Sequence, residues 1–216
     1  RAAIRDELNK MIVDESFPNA VNDMEDIGVL RALLPEAQAM KGVAQPAEFH
    51  MEGDVYTHTL DATRQLKPEA SRNLRWAVFF HDIGKPETFK LVERIRFDGH
   101  AEKSAQIAHT IMRRLNFPRK DISHVEWLVK HHMSVYNVFD MSVGRRRHWF
   151  LHPWFLELLE LNRCDASGTM PSDLSQHDKV LELYRKDLEE MPQKPARLVS
   201  GEDVMDLLGL KPGKEV

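Results

Sequence analysis

The stretch Phe79-Phe80-His81-Asp82-Ile83-Gly84-Lys85-Pro86 constrains the fold more than any other part of this sequence. It continues an apolar helical run (Leu74, Ala77, Val78) and ends in a Gly and a Pro, which stop a helix. A helix is therefore predicted to end at an adjacent His and Asp. A neutral imidazole and a carboxylate are both good ligands for a divalent ion. Taken alone, the pair favours a surface histidine beside a C-terminal aspartate, and the other ligand candidates along the chain reverse that reading.

Taken in order, apolar residues recur at helical spacing almost throughout. Ile4, Leu8, Met11 and Ile12 predict a helix over 2–13, and a second covers Ala20 to Ile27, closed by Gly28. Leu30, Leu33 and Leu34 extend an apolar face to Pro35. The Gly-, Pro-, Gln- and Glu-dense segment 42–53 reads as a loop and a domain boundary. Residues 1–45 are thus expected to be a small helical connector, 46–191 the main domain and 192–216 a C-terminal helical tail.

Val55 to Leu66 restarts the helical pattern, with His58 on it. Phe89 to Phe97 alternates and predicts a short hairpin. His100 opens a helix with Ala101, Ala105, Ala108, Ile111, Met112 and Leu115 on its apolar face. Pro118 suits the first turn of the next, which runs through Ile122, Val125, Leu128 and Val129 into His131-His132. Arg145-Arg146-Arg147 lies in a loop or helix start. Pro153 begins a helix that ends around Cys164-Asp165 before Gly168, and Asp173 to Met191 forms a last long one. Ser200 and Asp203 read as a capping box for a helix over Val204–Leu208. The expected class is all-α, with one possible β-hairpin.

The ligand candidates are His58, His81, Asp82, His100, His131, His132 and Asp165, most of them near predicted helix ends. A helix bundle can point such side chains into one cavity. All offer nitrogen or carboxylate oxygen, and a single cysteine leaves no thiolate cluster, so a catalytic transition-metal site is favoured over a structural zinc knot. Seven ligands exceed what one ion with an open position needs. Two ions bridged by Asp82 would use them, with His58, His81, Asp82 and Asp165 on one and His100, His131 and His132 on the other.

In this order the ligands resemble those of the HD-domain metal-dependent phosphohydrolases, whose pattern is His, then His-Asp, then a distant Asp. Binuclear members add a further His and a His-His pair, matched here by His100 and His131-His132. Glu48-Phe49-His50, Gly53-Asp54-Val55-Tyr56-Thr57-His58, the His81 to Pro86 stretch and Phe97-Asp98-Gly99-His100 are similar to the HD region of bacterial CCA-adding enzymes. The opening Ile4 to Leu8 and the tail Gly209 to Gly213 also resemble that family. The nucleotidyltransferase head, with its paired carboxylates, has no counterpart in these residues. The resemblance implies an HD helical bundle that hydrolyses 2′,3′-cyclic phosphates and phosphomonoesters with nickel, manganese, iron, cobalt, zinc or possibly magnesium. It also implies a nucleotide or RNA 3′ end, possibly tRNA, as partner. The same metal core would serve a deoxynucleotide or alarmone phosphohydrolase, and a tRNA-holding module with an idle site is a further alternative.

Asp82 and Lys85 are the expected catalytic residues. Lys85, one turn from Asp82, is a candidate phosphate clamp, joined by Arg145, Arg146 and Arg147, whose forks match phosphate oxygens. His50, His109, His124, His148, His152 and His177 read as surface or satisfied residues. Cys164 and Trp76, Trp127, Trp149 and Trp154 read as core, with Trp149 the one tryptophan placed to stack a base. A formal charge of −4 over 216 residues argues against binding nucleic acid through bulk charge, so any RNA contact should be local. One cysteine permits no internal disulfide, and no apolar run nears the ~18–20 residues of a membrane span, so a cytoplasmic location is expected. Opening on Arg1 suggests a fragment of a longer chain.

Overall fold

The computed structural model describes residues 2–46, 51, 53–191 and 205. Among these, helices dominate, as the periodicity predicts. Four N-terminal helices, α1 (Ala2–Ile12), α2 (Phe17–Asp26), α3 (Val29–Leu33) and α4 (Pro35–Gln38), lead into α5 (Val55–Arg64) and α6 (Arg72–Phe80). A one-turn helix α7 (Lys85–Thr88) precedes the hairpin β1 (Lys90–Leu91) and β2 (Ile95–Arg96). Then come α8 (His100–Arg114), α9 (Arg119–His131), a 3₁₀ helix (His132–Asp140), α10 (Val143–Phe150), α11 (Phe155–Gly168) and α12 (Ser175–Glu189).

Local chemistry explains the starts that matter. Asp54 caps α5 by accepting from the Thr57 N–H at 2.8 Å and also accepts from the Gly42 N–H. Ser71 caps α6 through the Leu74 N–H at 3.1 Å. Each cap satisfies an amide that the first turn leaves without a helical partner. Gly99, at φ 77°, turns the chain out of the hairpin and into α8 at His100. The hairpin pairs Lys90 with Arg96 and Leu91 with Ile95, antiparallel.

Two expectations on elements shift. Helix α2 begins at Phe17, three residues early, because Pro18 sits in the first turn, where a missing N–H costs nothing. Helix α6 stops before Gly84 as expected, and the same property lets Pro86 sit in the first turn of the short α7 that follows. The 3₁₀ helix after His131 follows directly on α9 and carries no periodicity that sequence reasoning could use. The capping box at Ser200, the Val204–Leu208 helix and His50 lie outside the described residues.

The N-terminal helices share the core of the main bundle. Phe17 meets the rings of Trp76 and Phe79 edge-on at 6.3 and 5.2 Å. The Trp76 indole donates to Asn9 Oδ1 at 2.9 Å, and Arg114 pairs with Glu36. Leu8, Ile12, Leu30 and Met40 join Phe79, Phe80, Ile111 and Phe155 in one apolar cluster. We propose the division 1–45, 46–191 and 192–216 from the sequence, with described residues of the first two segments contributing to one apolar cluster.

Candidate metal centre

Five elements deliver six of the predicted ligands to one place. His58 projects from the second turn of α5, His81 and Asp82 from the end of α6, and His100 from the start of α8. His132 opens the 3₁₀ helix and Asp165 lies in the last turns of α11. His58, His81, Asp82 and His132 are buried, while Asp165 keeps 19% of its side chain exposed.

The imidazoles meet through their Nε2 atoms. His58 and His81 stand 3.3 Å apart by these atoms, and His100 and His132 stand 3.2 Å apart. The Nδ1 atoms of three rings are committed to backbone carbonyls instead. His81 Nδ1 donates to Val78 O at 2.7 Å, His100 Nδ1 to Phe97 O at 2.9 Å and His132 Nδ1 to Val129 O at 2.7 Å. A ring whose Nδ1–H is held this way presents the Nε2 lone pair, the tautomer a metal needs.

The carboxylates complete the cluster. Asp82 Oδ2 is 3.2 Å from His81 Nε2 and 3.7 Å from His58 Nε2, while Oδ1 faces His100 Nε2 at 3.4 Å. Asp165 Oδ1 reaches His58 Nε2 at 3.0 Å and His81 Nε2 at 3.5 Å. Two groups could each hold an ion, His58–His81–Asp82 and Asp82–His100–His132, with their ligand atoms within 4.8 Å of one another. Asp82 belongs to both. Its Oδ1 is buried without a hydrogen-bond partner, an orphan that a cation would satisfy.

The electrostatics agree. Burial, followed by the neighbouring imidazoles of His81 and His100, pushes His132 down to about 4, so its ring is neutral at pH 7. Burial opposes a charge on His81 as well, but Asp82 and then Asp165 outweigh it and raise this ring to about 10, so its Nε2 carries a proton that a bound ion would displace. Burial also resists ionisation of both aspartates. His81 and Lys85 nevertheless hold Asp82 well below the usual carboxylate range, and hydrogen bonds from His58 and His81 do the same for Asp165. Two anions among imidazoles thus gather positive charge even with no ion present, and the donor set of nitrogen and carboxylate oxygen fits a divalent transition metal.

Other predicted residues fall elsewhere. His131 is turned away from the cluster, with its ring between Trp127 and Trp149 at centroid distances of 4.9 and 5.2 Å. Adjacent residues on a helical segment point about 100° apart, so only one of the pair can face inward. Lys85 does reach the site but is held in it. Its ammonium donates to Gln45 Oε1 at 2.7 Å, pairs with Asp82 Oδ2 at 2.6 Å and lies over the Phe97 ring. Arg145, Arg146 and Arg147 are on α10 and do not line the cavity above the cluster. Arg146 forks onto Asp187 of α12 at 2.7 and 3.0 Å, and Arg147 reaches Glu190 at 3.6 Å. Trp149 packs with Trp127 and His131 beside the core and is not among the cavity's lining residues.

Two glycines that read only as helix stops hold the geometry. A Cβ on Gly168 would stand 2.5 Å from Ala62 N, and one on Gly84 would stand 2.5 Å from Ser104 N. The first contact seats α11 on α5, one turn beyond Asp165 and His58. The second seats the His81-Asp82 turn on α8, where the Gly84 N–H also donates to Ser104 Oγ at 2.8 Å.

The cavity over the cluster has a volume of ≈ 720 Å³. Leu91, Arg94, Ile95, Arg96 and Phe97 of the hairpin segment line it, as do Met133 and Tyr136 of the 3₁₀ helix. Sequence reasoning assigned no role to these arginines.

An ordered His, His-Asp and distant Asp brought together at the ends of helices define the class. Residues 54–203 match the HD domain family, and the chain belongs to it. Its curated relatives are more particular. It is 36% identical to the A-adding tRNA nucleotidyltransferase of Deinococcus radiodurans over 99% of this chain and 51% of that protein. It is 34% identical to the CC-adding tRNA nucleotidyltransferase of Thermus thermophilus over 100% of this chain and 50% of that one. The multifunctional CCA protein of Halorhodospira halophila is 32% identical over 64% of this chain. The chain thus spans about half the length of the first two relatives. Among the described residues, no helix is long and apolar enough to cross a membrane.

Proposed function

We propose that this chain is a metal-dependent phosphohydrolase acting on nucleotide or RNA 3′-end phosphates, of the 2′,3′-cyclic phosphodiesterase and phosphatase type. The observation that carries the reading is the convergence of imidazole Nε2 atoms on the Asp82 carboxylate, with Nδ1 of His81, His100 and His132 held by main-chain carbonyls. His58, His81, Asp82 and Asp165 would hold one ion, and Asp82, His100 and His132 a second. Nickel, manganese, iron, cobalt or zinc suits these donors, and magnesium less so. When bound, such an ion supplies hydroxide near neutral pH and positive charge for phosphoryl oxygens.

The protein's own groups do the positioning. Backbone carbonyls fix three rings, Gly168 fixes the distance from Asp165 to His58, and Lys85 with Gln45 fixes the Asp82 carboxylate. Lys85 acts on the carboxylate first, and any contact with substrate is secondary. A cytoplasmic location suits a nucleotide or RNA substrate and a single buried thiol.

The relatives' greater length favours a second reading, in which these helices hold tRNA for a longer CCA-adding-type enzyme and the cluster is auxiliary. A nucleotide-clearing activity on deoxynucleotides or alarmones is the third. A panel of 2′,3′-cyclic AMP, bis-p-nitrophenyl phosphate, a deoxynucleoside triphosphate and an alarmone, assayed at fixed manganese, separates them. Turnover of the first two supports the proposal, turnover of the last two alone supports nucleotide clearing, and no turnover supports the module.

A further inference from the structure

The cation expected to clamp phosphate is already engaged. Lys85 is buried against Asp82 and Gln45, and the Arg145–Arg147 run lies outside the cavity. The hairpin supplies the cavity's remaining positive charge. Arg94 and Arg96 both line it, and Arg94 makes no ion pair among the described residues, while Arg96 reaches only Asp98 at 3.3 Å.

The ladder register sharpens the point. Alternation sets Phe89, Leu91, Ile95 and Phe97 on one face and Lys90, Val92, Arg94 and Arg96 on the other. Lys90 stands directly opposite Arg96, and like charges facing each other across a ladder destabilise it. A two-stranded hairpin with exposed Leu91 and Val92 has little stability to give up. Of these three cations Arg94 and Arg96 line the cavity, and Lys90 does not.

The cavity is also larger than one phosphate group requires, and its ≈ 720 Å³ falls within the range of sites that take whole small molecules. Tyr136 and Met133 add exposed ring and thioether surface to it. We infer that Arg94 and Arg96 bind the phosphates that flank the reacting one in a single-stranded RNA 3′ end. The cluster, where His58, His81, Asp82, His100, His132 and Asp165 would hold divalent ions, would receive the terminal phosphate, and the hairpin holds the chain leading to it. This rests on the hydrolase reading only for the identity of the terminal group.

The test measures binding without turnover. Fluorescence anisotropy of the full chain with a fluorescein-labelled single-stranded hexaribonucleotide bearing a 3′-phosphate is recorded in chelator, at several salt concentrations. Arg94→Ala/Arg96→Ala should weaken binding by about tenfold and flatten the slope of log Kd against log salt by about 1.4, the loss of two single-strand phosphate contacts. Arg94→Lys/Arg96→Lys should restore the slope. Arg145→Ala should bind like wild type, and competition by adenosine monophosphate should be the same in every variant. Unchanged affinity and slope in the double alanine variant, or an equal loss toward the mononucleotide, would overturn the assignment. Failure of the hydrolase reading shows separately, as absence of metal-dependent phosphate release by wild type, and leaves this binding test intact.

Discussion

Gly168 packs on Ala62 so closely that a methyl group at its Cα would stand 2.5 Å from the Ala62 amide nitrogen and 2.7 Å from its Cα. These two residues sit one turn beyond Asp165 and His58, whose side chains meet at 3.0 Å. The helix contact and the ligand contact are thus one arrangement. Helix propensity alone would favour Ala at position 168 by about 1 kcal/mol. The obstructing atoms are main chain and cannot rotate away, so overpacking, at ~1–3 kcal/mol or more, should win. Gly168→Ala should lower both the unfolding free energy and the bound metal per chain. Denaturant titration beside metal analysis checks this, and a variant that gains stability and keeps its metal would contradict it.

The two adjacent histidines should behave differently. His132 contributes Nε2 to the cluster, whereas His131 packs between tryptophans. His132→Ala should lose metal and His131→Ala should retain it, with a packing loss of ~1 kcal/mol for a half-buried ring contact. Metal analysis of the two single variants beside wild type makes the comparison. Equal metal loss in both would contradict the separate roles of the two rings.

Lys85 neutralises Asp82 when no ion is bound. Breaking a buried pair by removing one partner costs ~3–5 kcal/mol, because the other charge stays buried. Lys85→Met should therefore destabilise the chelator-treated protein by about that much, and less in saturating manganese, where an ion shares the Asp82 charge. The same loss in both conditions would show that Lys85 serves packing alone.

Arg146 is a structural residue here. Its fork onto buried Asp187 ties α10 to α12, so Arg146→Ala should cost ~1–3 kcal/mol in stability. Turnover per folded molecule should stay at the wild-type level. A selective rise in KM with unchanged stability would return Arg146 to the substrate-binding role that its sequence suggests.

Much of this was legible in the sequence because the chemistry and the periodicity coincide. Apolar residues at helical spacing mark the helices, and His58, His81-Asp82, His100, His132 and Asp165 stand at or near their ends. What escaped depends on neighbours far along the chain. Nothing in His131-His132 says which ring turns inward, since that is set by where α9 stops and the 3₁₀ helix starts. Arg146 reads as a free cation until α12 brings Asp187 beside it. Gly168 reads as a stop, and only the approach of α5 reveals it as a packing residue. Alternation along the hairpin does not single out Arg94 and Arg96, because residues of both its faces line the cavity.

The proposed function is divalent-metal hydrolysis of phosphate esters at a nucleotide 3′ end by this cluster. Its most direct test is the release of adenosine monophosphates from 2′,3′-cyclic AMP by wild type and Asp82→Asn, each with manganese or nickel and with chelator. The account predicts turnover in wild type that chelator abolishes and metal restores, with Asp82→Asn folded yet reduced by ~10²-fold or more, the scale of losing a group that stabilises transition-state charge. Turnover that survives chelation, or an Asp82→Asn variant as active as wild type, would contradict it.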